Sequence, residues 1–198
     1  MIRDYKKPGV KNYTALEILD NISPCNNQYT NTFYTTTGNV TVNADGNVYS
    51  SGTVVTNEHI WVEYTLLNPS FGILGFDVSS LAGKTIASAK LRVYLTQYTD
   101  TLNIVTVDHI NFGSSIDASD YSGGTLAGNI GTISSTSIIE WKELDVTSYV
   151  QADLTAGRTS SQYRFMFNGV LGTSLALFED AENTGGTGNK PQLVVTYY

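Results

Sequence analysis

Two groups of residues in this chain have the chemistry of a functional site. The first is aromatic: Trp61, Tyr94, Tyr98 and Tyr121. A flat ring offers a surface on which the C–H face of a pyranose can stack, while Asn, Asp and Gln take its hydroxyls. These residue types point to glycan binding. The second group is acidic. In "FEDAENTGGTGNK" the residues Glu179, Asp180, Glu182 and Asn183 crowd ahead of a Gly-rich run.

Strand geometry weighs the uses of those acids. Glycosidase-like chemistry needs two carboxyl groups facing one another at ~5–9 Å, one of them in surroundings that raise its pKa. If "LALFED" runs as a strand, Glu179 and Asp180 point to opposite faces and cannot form such a pair. No catalytic residues are therefore expected, and the chain is read as a non-enzyme. Ca²⁺ is better served, because it accepts six to eight hard oxygens from carboxylates, amides and carbonyls. Glu179, Asp180, Glu182 and Asn183 supply such oxygens without an Asp-x-Asp-x-Asp-Gly pattern. The competing expectation is a solvated, hydrogen-bonded corner.

Other chemistries are poorly provided for. His59 and His109 stand fifty residues apart with no HxxxH or HExxH spacing, and are expected at strand edges. Cys25 is the only cysteine, so no internal disulfide forms. No Gly-x-Ser-x-Gly elbow occurs. "SGGTLAGNIG" lacks a Lys-Ser/Thr ending and reads as a loop.

The elements that must position these groups are mostly strands. "NYTALEILDNISP" allows one helical turn before Pro24. From Phe33 the pattern turns to β. Val40 and Val42 alternate ahead of Asp45-Gly46, with Val48 beyond, which predicts a hairpin turning at Asp-Gly. In "HIWVEYTLL", Ile60, Val62, Tyr64 and Leu66 share one face, leaving Trp61 on the other. Leu91, Val93 and Leu95 alternate with Lys90, Arg92 and Tyr94. "NIVTVDHI" is a further strand, and residues 113–137 read as loops around one short edge strand. "IIEWKELDV" leads into a helix capped by Asp145 or Thr147, with Val146, Tyr149, Val150 and Leu154 on its apolar face and Gly157 at its end. "YRFMFNGV", "LALFED" and "QLVVTYY" complete the strands.

About ten strands with one short helix argue an all-β, two-layer antiparallel sandwich, jelly-roll-like. No repeat or linker is evident, so the chain divides into an N-terminal arm, residues 1–30, and one sandwich domain, residues 31–198.

Charge is split along the chain. Residues 1–11 hold Arg3, Lys6, Lys7 and Lys11 against one acid, whereas the remainder nets −10. An acidic body repels nucleic acid and anionic lipid. The basic arm is suited to docking on an acidic neighbour, or is a solvated terminus. No segment approaches the ~20 apolar residues of a membrane span. "MIRDYKKPGVKNY" has no apolar run after its charges, unlike a secretory signal. The expectation is a signal removed earlier, or release by another route such as lysis.

Three segments, in order, resemble a known family: "GFDVSSLAGKTIASAKLRVYL", "WKELDVTSYVQADLTAG" and "FEDAEN…KPQLVVTY". They are similar to the DNRLRE-type domain, which is related to the repeats of archaeal disaggregatase and to a class of carbohydrate-binding modules. The resemblance covers roughly residues 60–198. It implies a non-catalytic β-sandwich of surface, secreted or phage structural proteins, with Trp141 in the core and Glu182 at a recurring corner position. Gly75 departs from the pattern, which commonly has Arg there, so any pairing of that Arg with the later Glu is in question.

Two functions follow as expectations. The first is a structural or adhesion sandwich, at a virion surface or outside the cell, docked by its arm among other protein subunits and contacting glycans. The alternative is an extracellular carbohydrate-binding module working beside polysaccharide-degrading enzymes.

Overall fold

Alternating Val, Ile, Leu and Tyr commit about half of the described residues to strands, and every strand pairing among them is antiparallel. The computed structural model describes residues 29–34, 45–56, 58–99, 104–168 and 172–198. Arg3, Lys6, Lys7, Lys11, Cys25 and the expected helical turn lie outside them. The strands are β1 (Tyr29–Tyr34), β2 (Asp45–Tyr49), β3 (Val54–Val55), β4 (Ile60–Tyr64), β5 (Ser70–Asp77), β6 (Ile86–Tyr98) and β7 (Ile104–Ile110). After them come β8 (Thr125–Ser134), β9 (Trp141–Asp145), helix α1 (Thr147–Thr155), β10 (Ser160–Asn168), β11 (Ser174–Phe178) and β12 (Gln192–Tyr197).

They form the expected all-β sandwich. One layer runs β1-β12-β6-β9 and the other β11-β4-β5-β10-β7-β8, with β2 added to β5 and β3 to β2. The 13-residue β6 links the layers: its first part lies between β12 and β9, and its last residues pair with β11. Leu91, Val93, Leu95, Leu193 and Val195 meet Ile60, Leu74, Phe76, Val107, Phe165 and Phe178 in a core from which water is excluded. Each such side chain contributes roughly 1.5–3 kcal/mol of burial.

Helix α1 seals one end of the core. Val146 and Val150 are buried, and Tyr149 and Leu154 pack partly beneath. Asp145 starts the helix by accepting the Thr147 N–H at 2.9 Å. Gly157, at φ 73°, ends it in the left-handed conformation that side chains resist.

Outside the second layer lies a smaller core of Val48, Ile73, Ile110, Phe112 and Ile116. The loop between β7 and β8 covers it. Arg164 fastens that loop, donating to the carbonyls of Asp120, Tyr121 and Gly123 and to Thr125 Oγ1, while its other bond reaches Asp108 at 2.7 Å. Gly75 is explained here: a β-carbon at this position would stand 2.8 Å from the Phe112 ring.

Three local expectations are corrected. Asp45 and Gly46 do not turn; they are extended in β2, opposite Leu74 and Ile73. A long-range bond outweighs the local preference, since Asp45 accepts the Ala181 N–H at 2.8 Å. Glycine is needed at 46 because a β-carbon would meet the Val55 carbonyl at 2.7 Å. The real turn follows β2 at Ser50–Thr53, with Gly52 at φ 87°. Leu66 does not continue the buried face, because β4 stops at Tyr64 and Leu66 is 89% exposed. Finally, β8 is a ten-residue strand on β7, longer than the short edge strand expected.

Candidate functional site

β2–β3 and the loop after β7 lie against part of the second layer, while the outer face of the first layer carries a row of polar and aromatic side chains. Strand alternation puts Lys90, Arg92 and Tyr94 of β6 on it. Register then sets Trp141 opposite Tyr94, Glu143 opposite Arg92 and Asp145 opposite Lys90. On the other side β12 places Gln192 opposite Arg92 and Val194 opposite Lys90.

The side chains interlock. The rings of Tyr94 and Trp141 meet edge to face, centroids 5.6 Å apart at 74°. Arg92 reaches over Trp141, its guanidinium 4.6 Å from the ring centroid. Its Nε donates to Glu143 Oε1 at 2.7 Å and its Nη1 to Gln192 Oε1 at 2.8 Å, and Lys90 Nζ donates to Glu143 Oε2 at 3.2 Å. Partial burial opposes ionisation of Glu143, but the bonds from Lys90 and Arg92 outweigh it and hold the carboxyl below its ordinary range. Glu143 is thus an anionic acceptor at neutral pH and not a proton donor. Both rings keep part of their surface in water.

Such a strip combines aromatic surface with fixed donors and acceptors, the requirements for a polyhydroxylated ligand lying along a sheet. Of the four aromatics singled out from sequence, only Tyr94 stands on it. Tyr98 packs edge-on against Phe167, 6.0 Å away. Tyr121, in the Arg164-bound loop, stacks flat on Phe71 at 4.4 Å, with the Arg164 guanidinium also over the Phe71 ring. Trp61 is half-buried, with its indole Nε1 enclosed. Trp141 is the converse correction. It was expected in the core, but it opens β9 on the outward-facing parity, so its ring joins Tyr94 at the surface.

The acidic corner separates into two roles. Glu179 is a loop fastener: it accepts from Gly185 N–H at 2.7 Å, Thr187 N–H at 3.1 Å and Thr187 Oγ1 at 2.5 Å. Burial raises its pKa, but these bonds and nearby His59 prevail and lower it. Asn183 is similarly occupied by the Gly188 N–H at 2.5 Å. Asp180 is fully buried, and its carboxylate accepts from the Thr184 N–H at 2.7 Å through Oδ1. Asp180 Oδ2 and Glu182 Oε2 are buried without a hydrogen-bond partner among the described residues. Asp45 joins them from β2. Burial and the charges of Glu182 and Asp180 push its carboxyl up to about 7, against the Ala181 bond. Sequence reasoning missed Asp45 because its partners are 135 and more residues away and its Asp-Gly context reads as a turn.

His109 also departs from expectation. It is 2% exposed, in the core of the second layer, and not at a strand edge. Its partner Asp153 comes from α1, and no local spacing links the two.

With this geometry in view, the chain can be compared with known protein families. A family model described as carbohydrate-binding module family 96 matches residues 25–197. It agrees with the carbohydrate-binding side of the resemblance and extends over β1 through β3 as well. No curated protein matches the chain. Among the described residues, no helix is long and apolar enough to cross a membrane.

Proposed function

The chain belongs to carbohydrate-binding module family 96, and from that membership we propose that it binds a polysaccharide along the outer face of the β1-β12-β6-β9 sheet. The observation that carries the assignment of this face is the Tyr94–Trp141 pair with Arg92 held over Trp141. Sugar rings stack against the exposed aromatic surface. Arg92 and Lys90 donate to hydroxyls or other acceptors, and Glu143 and Gln192 accept. The face holds its ligand without transforming it, as a module that keeps a partner enzyme or surface in contact with polymer outside the cell.

Family membership favours this reading over a docking subunit of a virion or filament. That reading leaned on the basic arm, which lies outside the described residues.

The test is affinity electrophoresis through gels carrying neutral or acidic polysaccharides, with wild type and Trp141→Ala side by side. Wild type should be retarded by at least one polymer and the variant much less. Equal retardation of the two would remove this face from the proposal. No retardation in any polymer would remove glycan binding itself.

A further inference from the structure

We infer that copies of this chain associate through unlike surfaces, an apolar stripe in the arm of one copy docking on an apolar rim at one end of another. The strand pairings fix the two ends of the sandwich. At one end lie α1, Ile86, Tyr197 and the first residue of β1, Tyr29. At the other lie the β2–β3 turn, the β4–β5 loop and the β8–β9 loop. The four most exposed large hydrophobic side chains among the described residues all stand at this second end. Leu66 and Leu67 of the β4–β5 loop are 89% and 95% exposed, and Ile138 and Ile139 of the β8–β9 loop 60% and 56%.

Both loops are fixed at their base. Asn68 Oδ1 accepts from Ser50 Oγ at 3.2 Å and from the Ser51 N–H at 3.1 Å, and the Asn68 N–H donates to Thr65 Oγ1 at 3.1 Å. Buried Lys142 donates to Thr136 Oγ1 at 2.9 Å and to Glu140 Oε1 at 2.8 Å. Single exposed apolar residues are ordinary, but two adjacent pairs gathered at one end are not. Because the loops are already held in shape, a partner binding there loses little to ordering them.

The sequence supplies that partner. Residues 1–24 precede the family match, which begins at residue 25. Within them Ala15, Ile18, Leu19 and Ile22 recur at i, i+3, i+4 and i+7, the spacing that a helix gathers on one face to dock against apolar surface. Residues 1–11 carry four basic groups and one acid, against a net of −10 on the remainder, so attraction draws the arm toward the body of a copy.

Reach decides which copy. The arm enters the fold at Tyr29, at the end away from the rim. Ile22 stands seven residues before Tyr29, at most about 25 Å of extended chain. The 13-residue β6 sets the end-to-end length at about 40 Å. The stripe therefore falls short of the rim of its own molecule and meets that of a second. Stripe and rim are different surfaces, so a copy lacking only one still pairs with a copy lacking only the other.

The test is sedimentation equilibrium of the full chain up to about 100 μM, where an interface of micromolar affinity is saturated. No polysaccharide is present, so the outcome does not depend on the glycan reading. Wild type should associate as concentration rises. Ile18→Ser with Leu19→Ser, Leu66→Ser with Leu67→Ser, and Ile138→Ser with Ile139→Ser should each weaken association at least roughly tenfold. Circular dichroism should show the β-sheet kept in all three variants, since none of these substitutions touches the buried core. The stripe variant and the Leu66, Leu67 variant, mixed in equal amounts, should form a one-to-one complex. The inference is overturned if wild type stays monomeric, if the rim variants associate like wild type, or if the mixed variants stay apart.

Discussion

His109 Nε2 lies 2.9 Å from both carboxylate oxygens of Asp153, joining β7 to α1 inside the core. Arg158 adds a bond to the same carboxylate at 2.7 Å, so one side chain that is 1% exposed fixes the end of the helix to the sheet. Removing one partner from such a group leaves the others buried without compensation. Asp153→Asn should lower unfolding stability by about 3 kcal/mol, read as a lower urea midpoint with an unchanged slope. Polysaccharide retardation of the folded variant should be unaffected.

The candidate binding face answers differently. Trp141→Ala removes an aromatic centre that is only partly buried, so the far-ultraviolet circular dichroism should be preserved. Loss of a central aromatic contact costs about 2 kcal/mol or more in typical interfaces, so affinity by calorimetry should fall at least roughly thirtyfold. Tyr94→Ala should weaken binding in the same direction.

Glu143 gives the face a pH dependence. Its carboxyl is held below its ordinary value by Lys90 and Arg92, so its favourable contribution is fully present above the unfolded value of 4.5 and fades as pH falls through the lower folded value. At neutral pH the charged acceptor is intact. Retardation should hold steady from pH 8 to pH 5 and decline below about pH 4. Glu143→Gln should remove that acid-side decline, with a stability change under about 1 kcal/mol because the pair is solvent-exposed.

Arg164 provides a test of the cover over the second layer. Its guanidinium bonds three loop carbonyls, Thr125 and the buried Asp108. Arg164→Ala should cost about 3 kcal/mol by leaving Asp108 buried without its cation. Hydrogen–deuterium exchange should rise across the loop of residues 111–124 and remain unchanged in β6, β9 and β12.

Period-two alternation made the strands readable one at a time. Leu91, Val93 and Leu95 opposite Lys90, Arg92 and Tyr94 announce which side of β6 is wet, because a pleated strand sends successive side chains to opposite faces. The helix was legible for the same reason: its apolar spacing and the flanking Asp145 and Gly157 are local signals. Trp141 and Asp45 were misread where local signals are weakest. A residue opening a strand has its facing fixed by the register of its neighbour, and Asp-Gly turns only when no distant donor claims the carboxylate.

The sequence by itself determined an all-β chain, the helix position, the outward row of β6 and a corner crowded with acids, all of which depend on residues a few positions apart. Tertiary structure alone decided that Trp141 meets Tyr94 under Arg92, that Glu179 fastens a loop, and that Asp45 joins Asp180 and Glu182. Those partnerships depend on strand order and register, and register follows from how two sheets close around a shared core, which no local pattern encodes.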